Sequence, residues 1–146
     1  MSLVDEIRFD SAGLVPAAVT DCESGRLLVL CYMNAEALEK TLSEGIVHLF
    51  RRSRGEVVPK GVDSGHVQEV EEIRINCDSN SLEIRVRQKV AACAYGYYSC
   101  YFRRWDEENQ VWVVEDEQVF DPDEVYRKRQ GYRSGTRKEA KRAGKG

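Results

Sequence analysis

Three of the five cysteines are the first candidates for chemistry. Cys77 ends a predicted strand, while Cys93 and Cys100 bracket the six residues Ala-Tyr-Gly-Tyr-Tyr-Ser. A loop of this length with one glycine can turn two thiolates toward a common point, and a third thiolate would complete a zinc site that leaves one tetrahedral position for water. That open position is typical of catalytic zinc. Cys-x6-Cys is not by itself diagnostic of a metal site, so buried free thiols are the alternative interpretation.

A second candidate group is a basic, glycine-containing stretch. It reads Arg51-Arg52-Ser53-Arg54-Gly55, then Lys60-Gly61, then Ser64-Gly65-His66. Guanidinium groups and hydroxyls bind phosphate oxygens, and glycines let backbone N–H groups approach an anion. A solvated hairpin tip is the alternative. His66 is one of two histidines and is either a general base or a structural residue.

The elements that must position these residues are short strands and one main helix, which predicts a compact α+β fold with mainly antiparallel strands. Asn34 is a plausible N-cap and Gly45 a plausible stop for the helix. The predicted elements are strands 14–20 and 27–33, helix 35–44, strand 46–52, a polar loop 53–66, strands 67–76 and 82–86 joined by a turn at 78–80, a hairpin of strands 97–105 and 111–115, and a helix starting at 121 with Pro122 in its first position.

Composition limits the class of protein. The chain has 146 residues, 42% hydrophobic and 32% charged, which suits one globular domain and excludes collagen-like or wholly disordered chains. No apolar run approaches the roughly 20 residues of a membrane helix, and the first residues carry acids rather than a signal-peptide pattern. We therefore expect a cytoplasmic protein with no membrane partner and, since five cysteines is an odd number, no disulfide framework.

Charge divides the chain unevenly. Residues 127–146 contain nine Lys or Arg and one acid, a net +8, so that the net charge of -3 leaves -11 for residues 1–126. We predict a domain over 1–126 and a basic mobile tail over 127–146. The tail either aids solubility, contacts a neighbouring subunit, or attracts nucleic acid, whereas the acidic body makes nucleic acid an unlikely partner elsewhere.

Taken in order, these segments resemble the phosphoribosyl-AMP cyclohydrolase family of histidine biosynthesis over roughly residues 8–105. The matching stretches are Gly13-Leu14-Val15-Pro16-Ala17 with Asp21, Tyr32-Met33-Asn34, Arg52-Ser53-Arg54-Gly55, Lys60-Gly61, Ser64-Gly65-His66, Cys77-Asp78, and Ala92-Cys93 through Gly96 to Ser99-Cys100. The resemblance implies a homodimer whose zinc is held by three cysteines from both subunits. It also implies that zinc-activated water attacks C6 of the adenine ring of phosphoribosyl-AMP and opens the N1–C6 bond.

Carried over residue by residue, the resemblance assigns roles in this chain. It makes Cys77, Cys93 and Cys100 the zinc ligands. It places Arg52, Ser53, Lys60, Ser64 and the candidate catalytic residue His66 on the loop around a nucleotide substrate with phosphate at both ribose ends.

Two departures from the family pattern affect that assignment. The family's Asp-Cys-Asp-x-Asp magnesium site reads Asn76-Cys77-Asp78-Ser79-Asn80, so Asp78 is the one remaining carboxylate and magnesium should bind weakly, if at all. The family's histidine after the zinc cysteine is Ala94. General acid–base help contributes about 10²–10⁴-fold, so His66 or another group must substitute.

Three functions remain open at this point. The chain is a phosphoribosyl-AMP cyclohydrolase, a paralogous zinc hydrolase acting on another purine-like or nucleotide substrate, or a non-catalytic zinc-stabilised binding module whose tail recruits nucleic acid. Tyr95, Tyr97 and Tyr98, inside the cysteine loop, suit stacking on a flat ring or filling a dimer interface.

The position of the basic tail makes a first prediction. Deleting residues 127–146 should leave turnover of phosphoribosyl-AMP close to that of the full chain, because the tail lies outside the family-like stretch. Steady-state kinetics of the two chains test it, and loss of turnover with the fold preserved would place the tail in the site.

Overall fold

Alternating apolar residues build the main sheet of this computed structural model, which describes residues 2–61 and 63–127. Its strands run in the order β2-β1-β6-β5, and Leu82, Ile84 and Val86 of β6 are buried as their alternation predicts. The elements are a 3₁₀ turn Leu3–Glu6, strands β1 Val15–Asp21, β2 Leu27–Met33, β3 His48–Arg51, β4 Glu56–Pro59, β5 Gln68–Ile75, β6 Leu82–Gln88, β7 Arg103–Asp106 and β8 Val111–Val114, and helices α1 Ala35–Glu44 and α2 Pro122–Arg127.

The predicted α+β class with mainly antiparallel strands is confirmed. The pairs β1–β2, β5–β6, β3–β4 and β7–β8 are antiparallel, and only β1–β6 within the described residues is parallel. Two antiparallel hairpins are thus joined edge to edge into one sheet. Residues 128–146 of the predicted tail lie outside the described residues. No helix in the described part of the chain is long and apolar enough to cross a membrane.

Helix α1 begins and ends as predicted. The Asn34 side chain accepts a hydrogen bond of 2.8 Å from the backbone N–H of Ala37, and Gly45 follows the last turn with φ 75°. Thr41 is fully buried and its hydroxyl accepts the N–H of His48 at 2.9 Å, which ties the helix to β3. The helix therefore anchors the strand that leads into the basic stretch.

The predicted polar loop over 53–66 is wrong in part, and the preceding strand is shorter than predicted. Strand β4 lies inside that stretch and pairs with β3, with Leu49 opposite Val58 and Phe50 opposite Val57. These four side chains are half-buried, so packing rather than local polarity decides the conformation. The basic residues consequently sit on a hairpin and the loop after it.

The predicted strand over 97–105 is also wrong, since only Arg103–Asp106 forms β7. The backbone before it closes a loop instead: Cys93 N–H donates to the Tyr97 carbonyl at 3.1 Å, and Ala92 N–H to the Tyr98 carbonyl at 2.9 Å. Cys100 N–H then donates to the Leu28 carbonyl at 2.7 Å. Tertiary hydrogen bonds therefore override the apolar character of this stretch and fix the cysteine loop to the edge strand β2.

Tyr98 anchors the same loop to the neighbouring strand β1. Its hydroxyl donates a hydrogen bond to the carboxylate of Asp21, the last residue of that strand. Burial raises the pKa of Asp21, but this hydrogen bond and the backbone N–H groups of Glu23 and Ser24 outweigh it, so the pKa lies below its ordinary value. The carboxylate is thus held ionised as a fixed acceptor for the loop.

Removing this hydroxyl with Tyr98→Phe should lower the free energy of unfolding by about 1 kcal/mol, because one hydrogen bond to a charged acceptor is lost while the ring is kept. Urea denaturation measures the change. Tyr101→Phe is the matched control, because Tyr101 is 47% exposed. Equal stability of the Tyr98→Phe and control proteins would contradict the anchoring role.

Candidate active site

Cys93 and Cys100 meet in the folded chain, as the sequence predicted for two of its three thiols. The Cys100 thiol donates a hydrogen bond to the sulfur of Cys93, and this bond, against the opposing effect of burial, lowers the pKa of Cys93 to about 6. The same bond and burial raise the pKa of Cys100. The hydrogen bond therefore favours the ionised form of Cys93 and the protonated form of Cys100, so Cys93 is the thiol of the pair that ionises first.

Lys60 places a positive charge beside this pair. Its Nζ donates a hydrogen bond of 2.7 Å to the carbonyl of Ala92, the residue before Cys93. Its charge lowers the pKa of Cys93 further and offsets part of the rise in the pKa of Cys100. Cys31 differs, because burial raises its pKa to about 12 and its thiol donates to the Ala17 carbonyl. Cys31 is thus a neutral core thiol, in line with a structural residue.

Cys77 does not join the pair within one chain. It is exposed on the turn before β6, whereas Cys93 follows the far end of that seven-residue strand. A strand of this length spans about 23 Å. Among the described residues, no group of three or more His, Cys, Asp or Glu side chains is arranged to hold a metal ion. One chain supplies two adjacent sulfurs at one place and the third sulfur at another.

A cavity of about 120 Å³ joins the cysteine loop to the basic stretch. Lys60 and Ser64 of the basic stretch and Cys93 and Ala94 of the cysteine loop all line it. Its full described lining is Leu49, Arg51, Val58, Pro59, Lys60, Gly61, Asp63, Ser64, Ala91, Ala92, Cys93, Ala94 and Tyr126. Two of the four predicted substrate-binding residues therefore share a cavity with a predicted metal ligand. Two cations against one carboxylate, together with the Ser64 and Tyr126 hydroxyls, make the cavity suitable for an anion.

Arg52 and Ser53 lie outside this cavity, exposed on the β3–β4 turn. The Arg52 guanidinium stacks over the Tyr32 ring at 4.1 Å from its centroid, which holds it at the surface near β2. A role for both residues in substrate binding stays a prediction.

His66 is half-buried beside the cavity loop but is not one of the lining residues described above. Its ring packs edge-on against Phe120, with centroids 4.8 Å apart. Its carbonyl approaches Gly61 so closely that a Cβ there would lie 2.4 Å from it, which explains the glycine after Lys60. The catalytic role of His66 stays a prediction.

The turn that carries Cys77 does not fit a magnesium ion. The Asn76 side-chain oxygen accepts the N–H groups of Asn80 and Ser81, both at 2.9 Å, and its amide donates to the Asn80 oxygen at 2.7 Å. These amide oxygens serve the turn itself, and Asp78 is left as the single exposed carboxylate. Magnesium sites in proteins use carboxylate and water oxygens in octahedral geometry.

The cavity contains one aromatic residue that sequence reasoning missed. Tyr97 stacks on Phe102 at 3.8 Å and Tyr98 binds Asp21, so neither of these loop tyrosines lines the cavity. Tyr126, on α2, does line it and is 7% exposed. The Asp121-Pro122 helix start was the available signal for α2, but nothing local indicated where that helix packs.

The fold and the cavity together define an α+β enzyme domain in which one thiol of a cysteine pair, Cys93, lines a cavity with cations of the basic stretch. A sequence model described as phosphoribosyl-AMP cyclohydrolase matches residues 29–102. The chain belongs to the phosphoribosyl-AMP cyclohydrolase family.

Curated relatives of that name extend the match beyond this segment. The protein from Chloroherpeton thalassium is 45% identical over 128 residues, covering 88% of this chain and 91% of the relative. The protein from Pelotomaculum thermopropionicum is 46% identical over 126 residues, covering 86% and 97%. The protein from Methanospirillum hungatei is 44% identical over 122 residues, covering 84% and 89%.

Because the side chains of Asn76 and Asn80 hydrogen-bond to each other, we expect that magnesium does not bind the turn that carries Cys77. Millimolar Mg²⁺ should leave the melting temperature of the wild-type protein unchanged, whereas Asn76→Asp with Asn80→Asp should make it rise with Mg²⁺ concentration, as ligand binding to the native state requires. Thermal scans with CaCl₂ and NaCl of equal ionic strength are the controls. A magnesium-dependent rise in the wild-type protein that Asp78→Asn abolishes would contradict this prediction.

Proposed function

We propose that this chain is a phosphoribosyl-AMP cyclohydrolase that hydrolyses the N1–C6 bond of the adenine ring with the help of zinc. The observation that carries the proposal is the cavity that Cys93, Lys60 and Ser64 line together. Family membership supplies the reaction class, and the cavity supplies groups suited to a phosphorylated nucleotide. Water adds to C6 and the N1–C6 bond breaks, so one proton must reach N1 as the amide forms.

Cys93 and Cys100 would hold the zinc ion together with Cys77. The donor set fits, because the Cys100 thiol hydrogen-bonds to the sulfur of Cys93 and the charge of Lys60 favours the ionised form of each thiol. Zinc binding requires deprotonated thiolates. When bound with three protein ligands, zinc lowers the pKa of a coordinated water to about 7 and so supplies a nucleophile at neutral pH.

The third thiolate would come from a second copy of the chain. Cys77 is exposed and remote from the other two, so a homodimer with a shared site accounts for all three ligands. A groove of about 410 Å³ lined by Cys100, Tyr101, Arg103 and Trp112 borders the pair, and Trp112 is 51% exposed. An exposed aromatic groove of this kind is typical of protein–protein contacts.

The basic residues fall into two groups that match the two ends of the proposed substrate. Lys60 and Ser64, which belong to the lining of the cavity, would bind one phosphate. Arg52 and Ser53, on the exposed β3–β4 turn, would bind the phosphate at the other ribose end. Such a division lets the reacting ring lie between two anchored ends, which reduces the entropy cost of orienting it.

His66 is the proposed carrier of the proton to N1, since Ala94 lines the cavity and has no titratable group. His66 lies two residues after Ser64, and its backbone N–H donates to the Ser64 hydroxyl at 3.2 Å. Ala94 also supports the second candidate, a paralogous zinc hydrolase acting on another purine-like substrate. Direct turnover separates the two candidates.

Cys93→Ser tests the metal assignment. We expect about one zinc per chain in the protein purified without added metal, loss of most of that zinc in Cys93→Ser, and loss of turnover by a factor of at least about 10³ because no activated water remains. Elemental analysis and the absorbance change on opening of the purine ring are the measurements. Cys31→Ser is the control, because Cys31 is a core thiol outside the pair. Full zinc content in Cys93→Ser would contradict the assignment.

The same assay decides between the candidate functions. Robust turnover of phosphoribosyl-AMP by the zinc-loaded wild-type protein supports the proposed cyclohydrolase. Absence of turnover at full zinc occupancy would contradict it and favour a different substrate or a binding role.

A further inference from the structure

The segment after the family-matched residues 29–102 returns to the cavity. Past the β7–β8 hairpin, Val119 N–H donates to the Gly96 carbonyl at 2.7 Å, and the Gln118 side chain donates to the Tyr95 carbonyl at 2.8 Å. Gly96 has φ 101°, and a Cβ on it would lie 2.6 Å from the Phe120 carbonyl. This close approach requires glycine and fixes the segment against the cysteine loop.

The same segment is fixed to the basic stretch. The Phe120 ring packs against His66, and Pro122 is fully buried at the start of α2. Contacts to both walls of the cavity therefore determine where α2 lies. As a result, Tyr126 is 7% exposed and forms part of the lining together with Lys60, Ser64 and Cys93.

We propose that Tyr126 is a substrate-binding residue whose ring packs against the purine of the substrate, an inference that rests on the proposed function. The reacting carbon must lie beside the metal that Cys93 would hold, so the purine enters the cavity that Cys93 lines. Tyr126 is the aromatic side chain of that lining. Stacking on an aromatic ring orients a flat base without requiring hydrogen bonds to it.

The size of the cavity supports a role in binding the ring rather than the whole nucleotide. Its volume is about 120 Å³. Pockets that hold complete drug-sized ligands measure about 300–1,000 Å³. A flat ring enclosed on one face by Tyr126 uses such a space, while the ribose phosphates extend toward the basic residues. The segment after residue 102 thereby becomes part of the active site.

Kinetics of three variants test the proposal. Tyr126→Ala should raise KM for phosphoribosyl-AMP about ten-fold or more, because base–aromatic stacking is lost, and should weaken inhibition by AMP in the same proportion. Inhibition by inorganic phosphate should stay unchanged, because Lys60 and Ser64 remain. Tyr126→Phe keeps the ring and should resemble wild type, as should Val125→Ala, a half-buried neighbour on α2 that is not among the cavity-lining residues.

Melting temperature and zinc content of each variant confirm that fold and metal are retained. Unchanged AMP inhibition in Tyr126→Ala would overturn the proposal. So would an equal loss of phosphate inhibition, which would mean that Tyr126 only shapes the phosphate site, or an equal effect of Val125→Ala, which would mean that α2 acts through packing. If wild type binds AMP through Tyr126 but does not turn over phosphoribosyl-AMP, the proposed reaction fails and the ring-binding role stands. If wild type turns over phosphoribosyl-AMP but Tyr126→Ala changes neither KM nor AMP inhibition, the ring-binding role fails and the proposed reaction stands.

Discussion

The Cys100 thiol hydrogen-bonds to the sulfur of Cys93, seven positions earlier in the sequence, and much of the surrounding structure keeps the two sulfur atoms in that position. The loop that carries them is fixed to β2 at both Ser99, whose hydroxyl donates to the Leu27 carbonyl at 2.7 Å, and Cys100, whose N–H donates to Leu28. Lys60, in the basic stretch, donates a hydrogen bond from its Nζ to the Ala92 carbonyl. A partly buried thiolate is costly without such donors and charges nearby. The loop, the edge strand and the hairpin therefore form one unit around the pair.

Because the Cys93–Cys100 pair is fixed far from Cys77, one chain alone does not form a site with three thiolates. The seven-residue β6 separates the turn of Cys77 from the stretch that leads to Cys93, and a strand within a sheet does not fold back on itself. In the proposed zinc site, the third sulfur would come from a partner chain. A two-fold dimer would then build two equal sites, because each chain would give Cys77 to its partner and receive one in return. Metal binding and assembly would then depend on each other.

Local sequence patterns correctly predicted those helices and strands that depend on interactions between residues close together in the sequence. The caps of α1 and the alternation of Leu82, Ile84 and Val86 each follow from short-range rules, and the structure agrees with them. The length of the loop between Cys93 and Cys100 allowed the two thiols to meet, and the family resemblance implied that they would. The strand expected over 97–105 failed because its backbone groups bond to β2 and within the loop, which no local pattern reveals.

Long-range packing explains the rest of what the sequence left undetermined. Strand β4 depends on pairing with β3, and Tyr126 reaches the cavity because Gly96 admits the Phe120 carbonyl more than twenty residues away in sequence. Asn76 and Asn80 replace two carboxylates of the family's magnesium motif. Their side chains hydrogen-bond to each other, so the amide oxygens complete the turn and are not left as metal ligands. The sequence motifs indicated which residues are candidates for the site, whereas tertiary contacts decide which of those residues lie close together in the fold.

The measurement that tests a shared site most directly is subunit complementation. Cys77→Ser and Cys93→Ser chains, each inactive alone, are mixed in equal amounts, dissociated, reassociated with zinc and assayed for turnover. In a two-fold dimer one of the two sites of each mixed dimer is intact, so about one quarter of the wild-type activity should return. No recovery, despite mixed dimers shown by native mass spectrometry, would mean that the three cysteines do not combine across subunits.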